Sequence, residues 1–414
     1  MKKRSMFKLS WRNVWRNPWR SFSIIAAMSL GLLGVLMIMA FSNGMTLSMI
    51  NNAIDSELGH IQIHNPEYLQ QASLDNSLSS EQLLSLQTSL DSYQYKGEQL
   101  NYSARLSIPA MMATANRSRG IRIQGVNPMM EAKTTNIEQL LSQGIWLNDS
   151  QKKPIVISER NAKRLNARLK SKIIVTYSNS NAQVAGTAFR VVGIFQSGSS
   201  MFDDGYAFVL QSDLSSAVES HLIQEIAIRL PPSAPLNQFQ SDLQQHFNAQ
   251  LSIQRWDQRQ PMLATMIQAT AFSNAIILTI FVCAMGFGII NVMLMVVFER
   301  TREFGVLLAI GMQSRMIATL LLLESSLLAC VSTSIAGLLC LAFLSYFGRY
   351  GLDLGQMAQG LNAFGSNSLI YPQLEWLQFC YSAASVIVVA IIAALVPARR
   401  LFKLAPHTAM AERH

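Results

Sequence analysis

Long apolar blocks alternate with polar segments along this chain, and the longest blocks predict membrane helices. Ser21–Phe41, Phe272–Phe298 and Trp376–Ala398 contain no charged residue. About 20 residues are enough for a helix to cross a bilayer. A fourth run, Met316–Phe347, is long enough although it contains Glu324. We therefore predict four transmembrane helices.

Two of these helices are too long for the membrane alone. The apolar run from Pro261 to Phe298 would be about 57 Å long as a helix, whereas the hydrocarbon core is about 30 Å thick. The first run also continues, through Ser42–Ile54. We expect both helices to project from the membrane as stalks.

The segment between the first two spans, residues 44–265, has a mixed helix and strand pattern. The predicted strands are Ile61–His64, Gly120–Val126, Pro154–Ser158, Lys172–Tyr177, Phe189–Phe195, Tyr206–Leu210, Glu225–Leu230 and Leu251–Arg255. The predicted helices are Glu81–Leu90, Glu159–Leu169 and Leu236–Phe247. The expected fold class is an α-helical membrane protein with four transmembrane helices and a large mixed α/β domain inserted between helices 1 and 2.

Charge indicates the orientation. The net charge is +9, yet residues 44–261 hold 18 basic and 18 acidic residues, while the first 20 residues hold seven Lys or Arg and no acid. The turn Glu299–Arg315 and the tail from Arg399 also hold more basic than acidic residues. The segment Gly348–Glu375 has a single basic residue, Arg349. Positive flanks stay in the cytoplasm. We therefore expect both termini and the turn inside, and the inserted domain outside. Because the excess charge lies at membrane edges, we expect no nucleic-acid partner.

The first 20 residues combine an aromatic and a basic stripe. The stripes recur every four positions, as Trp11, Trp15 and Trp19, and as Arg12, Arg16 and Arg20. Such a pattern is typical of a helix in the membrane interface, which Pro18 should break. The alternative is a basic flank that only sets orientation.

The turn Glu299–Met312 predicts a short amphipathic helix between two membrane spans. Its sequence is Glu-Arg-Thr-Arg-Glu-Phe-Gly-Val-Leu-Leu-Ala-Ile-Gly-Met, in which Glu299 and Arg302 can pair on one face. The residues that we assign to docking on a soluble partner are Glu299, Arg300, Thr301, Arg302, Glu303, Phe304, Gly305, Ala309 and Gly311. The alternative is a plain connector.

The sequence of this turn resembles the coupling segment of the FtsX-like permease family. This is the type VII ABC transporter group that includes MacB, LolC and LolE. The arm Trp-Arg-Asn-Val-Trp-Arg-Asn-Pro and the tail Val-Pro-Ala-Arg-Arg-Leu-Phe-Lys-Leu-Ala-Pro are similar to the same family. The order of elements in residues 44–265 resembles a MacB-like periplasmic core domain, with an inserted lobe at about residues 115–220. Ser171-Lys172 departs from the Gly-Asp that the family often has.

These features divide the chain into expected segments. They are an arm (1–20), helix 1 (21–43), the core domain (44–265), stalk and helix 2 (266–298), the coupling helix (299–314), helix 3 (315–347), an outer loop (348–375), helix 4 (376–398) and a tail (399–414), with a C-terminal permease domain over 272–410.

The resemblance implies a permease subunit in a bacterial inner membrane. The chain has no Gly-x-x-x-x-Gly-Lys-Ser/Thr phosphate loop. We therefore expect no enzyme activity and no bound cofactor, with ATP and Mg²⁺ on a separate ABC ATPase present in two copies. The other expected partners are a second permease copy or a paralogue, a periplasmic carrier or adaptor, and membrane lipid.

The resemblance also implies mechanotransmission, in which movement of the ATPase tilts the stalks and does work on the outer side. Lipoprotein or lipid extraction toward the outer membrane is our first expectation. Efflux of drugs, toxins or peptides is the alternative, and a regulator of cell-wall hydrolases that moves no substrate is another.

Four further features have ordinary explanations. His60 and His64 share a strand face but lack other ligands at metal spacing, and a solvated face is the simpler interpretation. The basic cluster at 160–172 could meet an acidic partner or lipid, or simply face solvent. Glu324 lies within a span, and the membrane runs offer no Lys or Arg that would match it in a proton or ion relay. The family often carries an acidic residue at this place, so the resemblance favours a structural role near the cytoplasmic edge. All four cysteines lie in the apolar runs, so no disulfide framework is expected.

The charge distribution generates a topology prediction. Reporter fusions at Ser150 and Lys403 should be active outside and inside the membrane, respectively, because basic flanks remain in the cytoplasm. A cytoplasmic signal from the Ser150 fusion would contradict the orientation.

Overall fold

The computed structural model describes residues 3–69, 76–95, 98–179, 181, 183–220, 222–231, 234–247, 251–355, 360, 365 and 369–401. Within these residues, four helices are long and apolar enough to cross a membrane: Pro18–Leu58, Pro261–Glu299, Ser314–Tyr350 and Trp376–Arg399. A mixed α/β domain lies between the first and second of them. The predicted fold class is therefore confirmed.

The helices bracket the strands in chain order. They are α1 (Lys3–Val14), α2 (Pro18–Ala53), α3 (Ser80–Ser92), α4 (Pro128–Thr134), α5 (Glu159–Leu165), α6 (Ser200–Gly205), α7 (Gln211–Val218), α8 (Leu236–Phe247), α9 (Trp256–Arg259), α10 (Pro261–Glu299), α11 (Thr301–Ala309), α12 (Ser314–Tyr350) and α13 (Trp376–Leu401). A π-helical turn, Ile54–Leu58, continues α2.

The strands lie mostly between α2 and α10. They are β1 (Ile61–His64), β2 (Gln94–Tyr95), β3 (Glu98–Gln99), β4 (Asn101–Ala113), β5 (Ser118–Val126), β6 (Leu141–Gly144), β7 (Pro154–Ser158), β8 (Lys172–Ser178), β9 (Val184–Phe195), β10 (Tyr206–Leu210), β11 (Glu225–Arg229), β12 (Ser252–Arg255), β13 (Leu352–Asp353) and β14 (Leu369–Ile370).

The chain divides into two compact units. The membrane unit comprises Met1–Met45, Gln268–Leu352 and Tyr371–His414. The inserted unit comprises Thr46–Ile267 and Asp353–Ile370.

The membrane unit is held by apolar packing among α2, α10, α12 and α13. Leu32, Met293, Leu321 and Val386 belong to one buried cluster that draws on all four helices. Gly31 of α2 faces the ring of Phe281 on α10 so closely that an added Cβ would lie 2.8 Å from ring atom Cζ. The small residue at this position therefore serves packing within the chain, as is common between membrane helices.

The segment before α13 holds α2 at one point. A Cβ at Gly44 would clash with the carbonyl group of Tyr371 and would lie 3.1 Å from Cα of Pro372. The backbone N–H of Gln373 donates to the carbonyl of Ala40 at 2.9 Å. Only glycine permits this approach of two backbones at residue 44.

Six strands of the inserted unit close into a ring. β4 pairs with β5, then β10, β7, β9 and β8 follow in turn, and β8 pairs back with β4. The β5–β10 and β7–β9 pairs are parallel and the others antiparallel. Buried side chains such as Ile108, Ile123, Val175 and Val209 form its core.

Three further strands and β4 of the ring form a four-stranded antiparallel sheet, in the order β12, β1, β11, β4, while β6 pairs with β9 of the ring. Leu86 and Leu90 of α3, with Phe239 and Leu243 of α8, cover it. The sheet and the ring therefore share β4, whose first part pairs with β11 and whose second part pairs with β5.

Arg105 lies where β4 passes from the sheet to the ring. Its side chain is fully buried and forms a two-pronged ion pair with Glu131 of α4, at 3.0 and 2.7 Å, and a second pair with Glu225 of β11 at 2.7 Å. Burial alone would raise the pKa of Glu225, but the Arg105 charge lowers it overall. The pairing keeps Glu225 ionised and joins α4, β4 and β11.

Glu57 connects the end of α2 and the start of α10 to the same cluster. It lies in the π-helical turn that continues α2. Its carboxylate accepts hydrogen bonds from the Tyr206 hydroxyl at 2.6 Å and from Gln260, just before α10, at 3.1 Å. Its backbone carbonyl accepts from Arg105. Burial and the Glu57 charge raise the pKa of Tyr206 well above its usual range, so the phenol remains a donor.

Some predicted boundaries are wrong. No strand was expected over Asn101–Ala113, which is the longest strand, β4. The helix expected at Glu159–Leu169 ends at Leu165 because Asn166 adopts a left-handed conformation. The last helix was expected to end near Pro397 but continues to Leu401.

The Arg105 cluster generates a stability prediction. Arg105→Met should lower the free energy of unfolding by about 3–5 kcal/mol, because two buried carboxylates lose their cation. Lys163→Met is the matched control, since its ion pair with Glu159 is exposed and should change stability by less than about 1 kcal/mol. Pulse proteolysis of the purified chain in urea measures both. Equal urea midpoints for the two variants would refute the role of Arg105.

Candidate functional site

The candidate coupling site is the turn between α10 and α12. A single helix was expected over Glu299–Met312, but the chain leaves helical geometry at Arg300, and α11 spans only Thr301–Ala309. Gly311 then takes a φ of 90°, a conformation that favours glycine. The Thr301 hydroxyl donates to the carbonyl of Val297 at 2.8 Å and ties α11 to α10.

Two ion pairs fix this turn to the N-terminal arm. Arg20 Nη1 lies 2.9 Å from Glu299 Oε2, and Arg16 pairs with both carboxylate oxygens of Glu303. The four-residue spacing of the arginines matches that of the glutamates. The expected pairing of Glu299 with Arg302 is therefore wrong. The side chain of Glu299 faces the arm instead.

The hydrogen bond from Arg16 lowers the pKa of the Glu303 carboxyl, and Arg300 lowers it further. Glu303 is therefore ionised at neutral pH, when both arginines are charged. Since the Glu303 side chain is 40% exposed, each pair is screened by solvent and contributes modestly.

Arg300 connects the turn to the buried carboxylate of α12. Its Nε lies 3.0 Å from Glu303 Oε2, and its Nη1 lies 3.5 Å from Glu324 Oε2. The guanidinium also lies over the ring of Phe304, 5.4 Å from its centroid. The apolar runs themselves contain no Lys or Arg that could pair with Glu324. The partner comes from the turn that follows α10.

The two sides of α11 differ sharply. Phe304 and Gly305 are buried within the chain, so Gly305 does not lie on a free surface as the sequence suggested. The exposed side presents Arg302 and Ala309, together with Val306, which is 49% exposed, and Ile310, which is 75% exposed. An apolar strip with a basic edge therefore faces outward, next to exposed Gly311.

The arm also has two sides. Val14 belongs to the buried membrane core, and α1 packs against α12. Trp11, Trp15 and Trp19 are exposed, and Trp11 contacts Trp15 edge-on with ring centroids 6.1 Å apart. Arg12 is exposed and forms no ion pair with any described residue. Of the basic stripe, only Arg16 and Arg20 bind the turn.

The basic cluster at 160–172 meets an acid of its own chain. Asp204 pairs with Arg160 at 3.0 Å, with Arg164 at 3.1 Å and with Arg119 at 3.4 Å. Although burial alone would raise its pKa, the hydrogen bond and charge of Arg160 lower it overall. Asp203 and Asp204 lie in α6. An open cleft beside them is lined by Arg160, Lys163 and the exposed Met201.

The two histidines do not form a joint site. His64 is buried, with ring nitrogens 3.1 Å from the Gln224 carbonyl and from Gln62 Oε1, and burial lowers its pKa to about 4. His60 Nδ1 accepts from the N–H of Leu230 at 3.2 Å. Across the described ranges, no group of three or more His, Cys, Asp or Glu side chains could hold a metal ion.

Four helices that are long and apolar enough to cross a membrane, with a mixed α/β domain inserted in the sequence between the first and the second, define a multispan membrane protein. A family model for the MacB-like periplasmic core domain matches residues 21–246, and one for the FtsX-like permease C-terminal domain matches residues 275–406. The chain belongs to the FtsX- and MacB-like family of type VII ABC transporter permeases.

Solved structures of similar domains are distant in sequence. The periplasmic region of MacB from Actinobacillus actinomycetemcomitans is 14% identical, with a TM-score of 0.36, over 50% of this chain and 94% of that one. The extracellular domain of the noncanonic ABC-type transporter YknZ from Gram-positive bacteria is 13% identical, with a TM-score of 0.33, over 48% and 100%. Because both scores are below 0.5, the assignment rests on the family models. A comparison with curated protein sequences finds no match.

The ion pairs of the arm generate a testable expectation. Arg20→Glu should loosen the arm because it places two negative charges together, and Arg20→Glu with Glu299→Arg should restore docking. Protease sensitivity of the arm in the purified chain measures this, with Arg12→Glu as the control. If the double exchange is as sensitive as the single one, the pair does not hold the arm.

Proposed function

We propose that this chain is the membrane subunit that transmits ATP-driven movement from a separate ABC ATPase to its inserted domain. The observation that supports it is the exposed apolar strip of α11, Val306 and Ile310, beside Arg302. A strip of this kind on a turn outside the membrane suits docking onto a soluble protein.

The residues of the turn divide into two roles in this proposal. Phe304 and Gly305 anchor α11 in the membrane unit, while the ion pairs of Glu299, Arg300 and Glu303 and the Thr301 hydrogen bond hold it in place. Arg302, Ala309 and Gly311 face the ATPase with the apolar strip. ATP and Mg²⁺ bind to the ATPase, and two ATPase copies combine with two permease subunits, which are either two copies of this chain or this chain and a paralogue.

The helix lengths favour transmission by movement over a polar conduit. α2 has 36 residues and α10 has 39, about 54 and 58 Å. The charged residue deep in the described spans, Glu324, is 2% exposed and engaged by Arg300. Long helices that continue beyond the hydrocarbon core suit mechanical work on the outer side.

The substrates that we propose are lipoproteins or lipids, which the transporter would extract toward the outer membrane. A separate ATPase combined with a large outer domain is the arrangement that the resemblance to LolC and LolE implies. The protein would lie in a bacterial inner membrane, with both termini in the cytoplasm. A periplasmic carrier would accept the substrate. The exposed face of the arm, Trp11, Arg12, Trp15 and Trp19, would rest in the membrane interface.

The substrate class can be tested with proteoliposomes that contain the chain and its ATPase. ATP-dependent transfer of a labelled triacylated lipoprotein to a soluble acceptor supports extraction. Retention of the lipoprotein, with export of soluble peptides when an adaptor is added, would show efflux instead.

The docking strip generates a further prediction. Val306→Asp with Ile310→Asp should reduce ATPase binding at least tenfold, since each buried aliphatic side chain contributes about 1.5–3 kcal/mol.

Hydrolysis of ATP should be absent from the purified chain alone and should appear with the co-encoded ATPase. Binding and stimulated hydrolysis are measured at matched expression.

Val184→Asp is the control, because Val184 is 82% exposed and lies in the inserted domain. It should leave binding unchanged. Gly305→Trp and reversal of Glu299 and Glu303 are less decisive, because these residues contact their own chain. Normal ATPase binding by the Val306 and Ile310 variant would reduce the turn to a connector.

A further inference from the structure

The π-helical turn Ile54–Leu58, which continues α2, is anchored inside the inserted unit. The backbone N–H of Gly59 donates to the carbonyl of Ile54 at 2.9 Å, five residues earlier, which is the spacing of a π-helix. Short π-helical turns in long helices are frequent at functional sites. Leu58 is 2% exposed, so the turn is embedded in the unit and does not lie on its surface.

Two carboxylates of this turn bind different parts of the inserted unit. Asp55 Oδ1 lies 2.7 Å from Arg229 Nη2 of β11, a strand of the four-stranded sheet. Glu57 Oε1 accepts a hydrogen bond at 2.6 Å from the hydroxyl of Tyr206, at the start of β10 in the six-stranded ring. Arg105, on the strand that the sheet and the ring share, donates to the backbone carbonyl of Glu57. The sheet and the ring therefore hold the turn at the same time.

The second carboxylate oxygen of Glu57 binds the start of α10. Its Oε2 accepts a hydrogen bond at 3.1 Å from the side-chain amide of Gln260, which directly precedes the first residue of α10. The backbone N–H of Ala264, in the first turn of α10, donates to the carbonyl of Gln260 at 3.2 Å. One carboxylate thus bridges the end of α2, the start of α10 and the ring.

The hydrogen bonds of the Glu57 carboxylate depend on position more than on long-range attraction. Its two side-chain donors, a phenol and an amide, carry no charge, while the carboxylate makes each bond short and directional. A shift of the turn by about 1 Å against either donor would lengthen that bond beyond the hydrogen-bonding range. The geometry therefore opposes independent movement of α2, α10 and β10.

We propose that Glu57 is a positioning residue that makes α2 and α10 carry the inserted unit as one piece when they move. Without its carboxylate, both helix ends could shift against β10, and their movement would reach the inserted unit only in part. Asp55 and the bond from Arg105 to the backbone still attach the turn, so loss of the carboxylate should loosen this joint without unfolding the unit. The inference deepens the proposed function and rests on it for the source of the movement.

The stiffness of the joint can be measured in the purified chain as the distance between two spin labels. In a variant whose four native cysteines are replaced by Ala, labels at Met129→Cys of α4 and Met262→Cys of α10 report on it, because both side chains are exposed. Dilution with unlabelled chain restricts the measurement to distances within one chain. The parent should give a narrow distance distribution, and Glu57→Ala should broaden it.

A reciprocal exchange tests whether the specific bonds matter. Glu57→Gln with Gln260→Glu should restore the narrow distribution, because the amide and the carboxylate trade roles while Tyr206 keeps its acceptor. Glu67→Gln, at an exposed acid of the same unit, is the matched control and should leave the distribution unchanged.

Transfer per ATP hydrolysed separates a positioning role from a merely structural one. In proteoliposomes with the ATPase, Glu57→Ala should lower the labelled lipoprotein transferred per ATP at least about fivefold, since a joint loses two hydrogen bonds. ATPase binding and hydrolysis should be unchanged, because α11 is unaltered, and the reciprocal exchange should recover the transfer. Tyr206→Phe removes only the hydroxyl and should give a smaller loss, so it replaces Glu57→Ala if that variant does not fold.

Unchanged transfer per ATP in Glu57→Ala would overturn the proposal, whether the spin-label distances are narrow or broad. Failure of the reciprocal exchange to recover transfer would overturn it as well. Absence of ATP-dependent transfer from the parent would instead refute the proposed function, and with it the transmission through Glu57. The result for the parent therefore distinguishes the two failures.

Discussion

The inserted domain depends on one buried cation. Arg105 lies on the strand shared by the four-stranded sheet and the six-stranded ring, and it binds a carboxylate from each of two neighbouring elements. A charge in this position is tolerated only because Glu131 and Glu225 accompany it. The two ion pairs therefore tie α4 and β11 to the strand that the sheet and the ring share. The carbonyl of Glu57, in the π-helical turn that continues α2, accepts a hydrogen bond from the same arginine.

The sequence predicted most strands of the domain but not β4, and the reason is physical. Apolar residues alternate along it, as Tyr102, Ala104, Leu106 and Ile108, but the intervening side chains include Arg105, which suggests solvent. In the structure this second face is buried as well, because α4 packs against β4 and Glu131 of α4 pairs with Arg105. Pattern alone cannot distinguish a polar side chain in solvent from one paired inside the protein.

For the candidate site, the position could be predicted and the contacts could not. The charged turn between two apolar runs, and its resemblance to a coupling segment, located α11 from local sequence. The partners of Glu299 and Glu303 lie more than 270 residues earlier, at Arg20 and Arg16. The sequence signal for these pairs is the equal spacing of four residues between the two arginines and between the two glutamates. Glu324 likewise finds Arg300 only when α10 and α12 pack together.

The close approach at Gly44 fixes one point along α2, at its contact with the segment before α13. In the transmission that we propose, this point would serve α2 as a fulcrum. About 39 Å of helix extend from it toward Pro18, and about 14 Å extend toward Ala53. In the transmission that we propose, a swing of the long arm would be reduced about threefold at the short arm, with a corresponding gain in force. A bulkier residue at the fulcrum would displace the pivot itself.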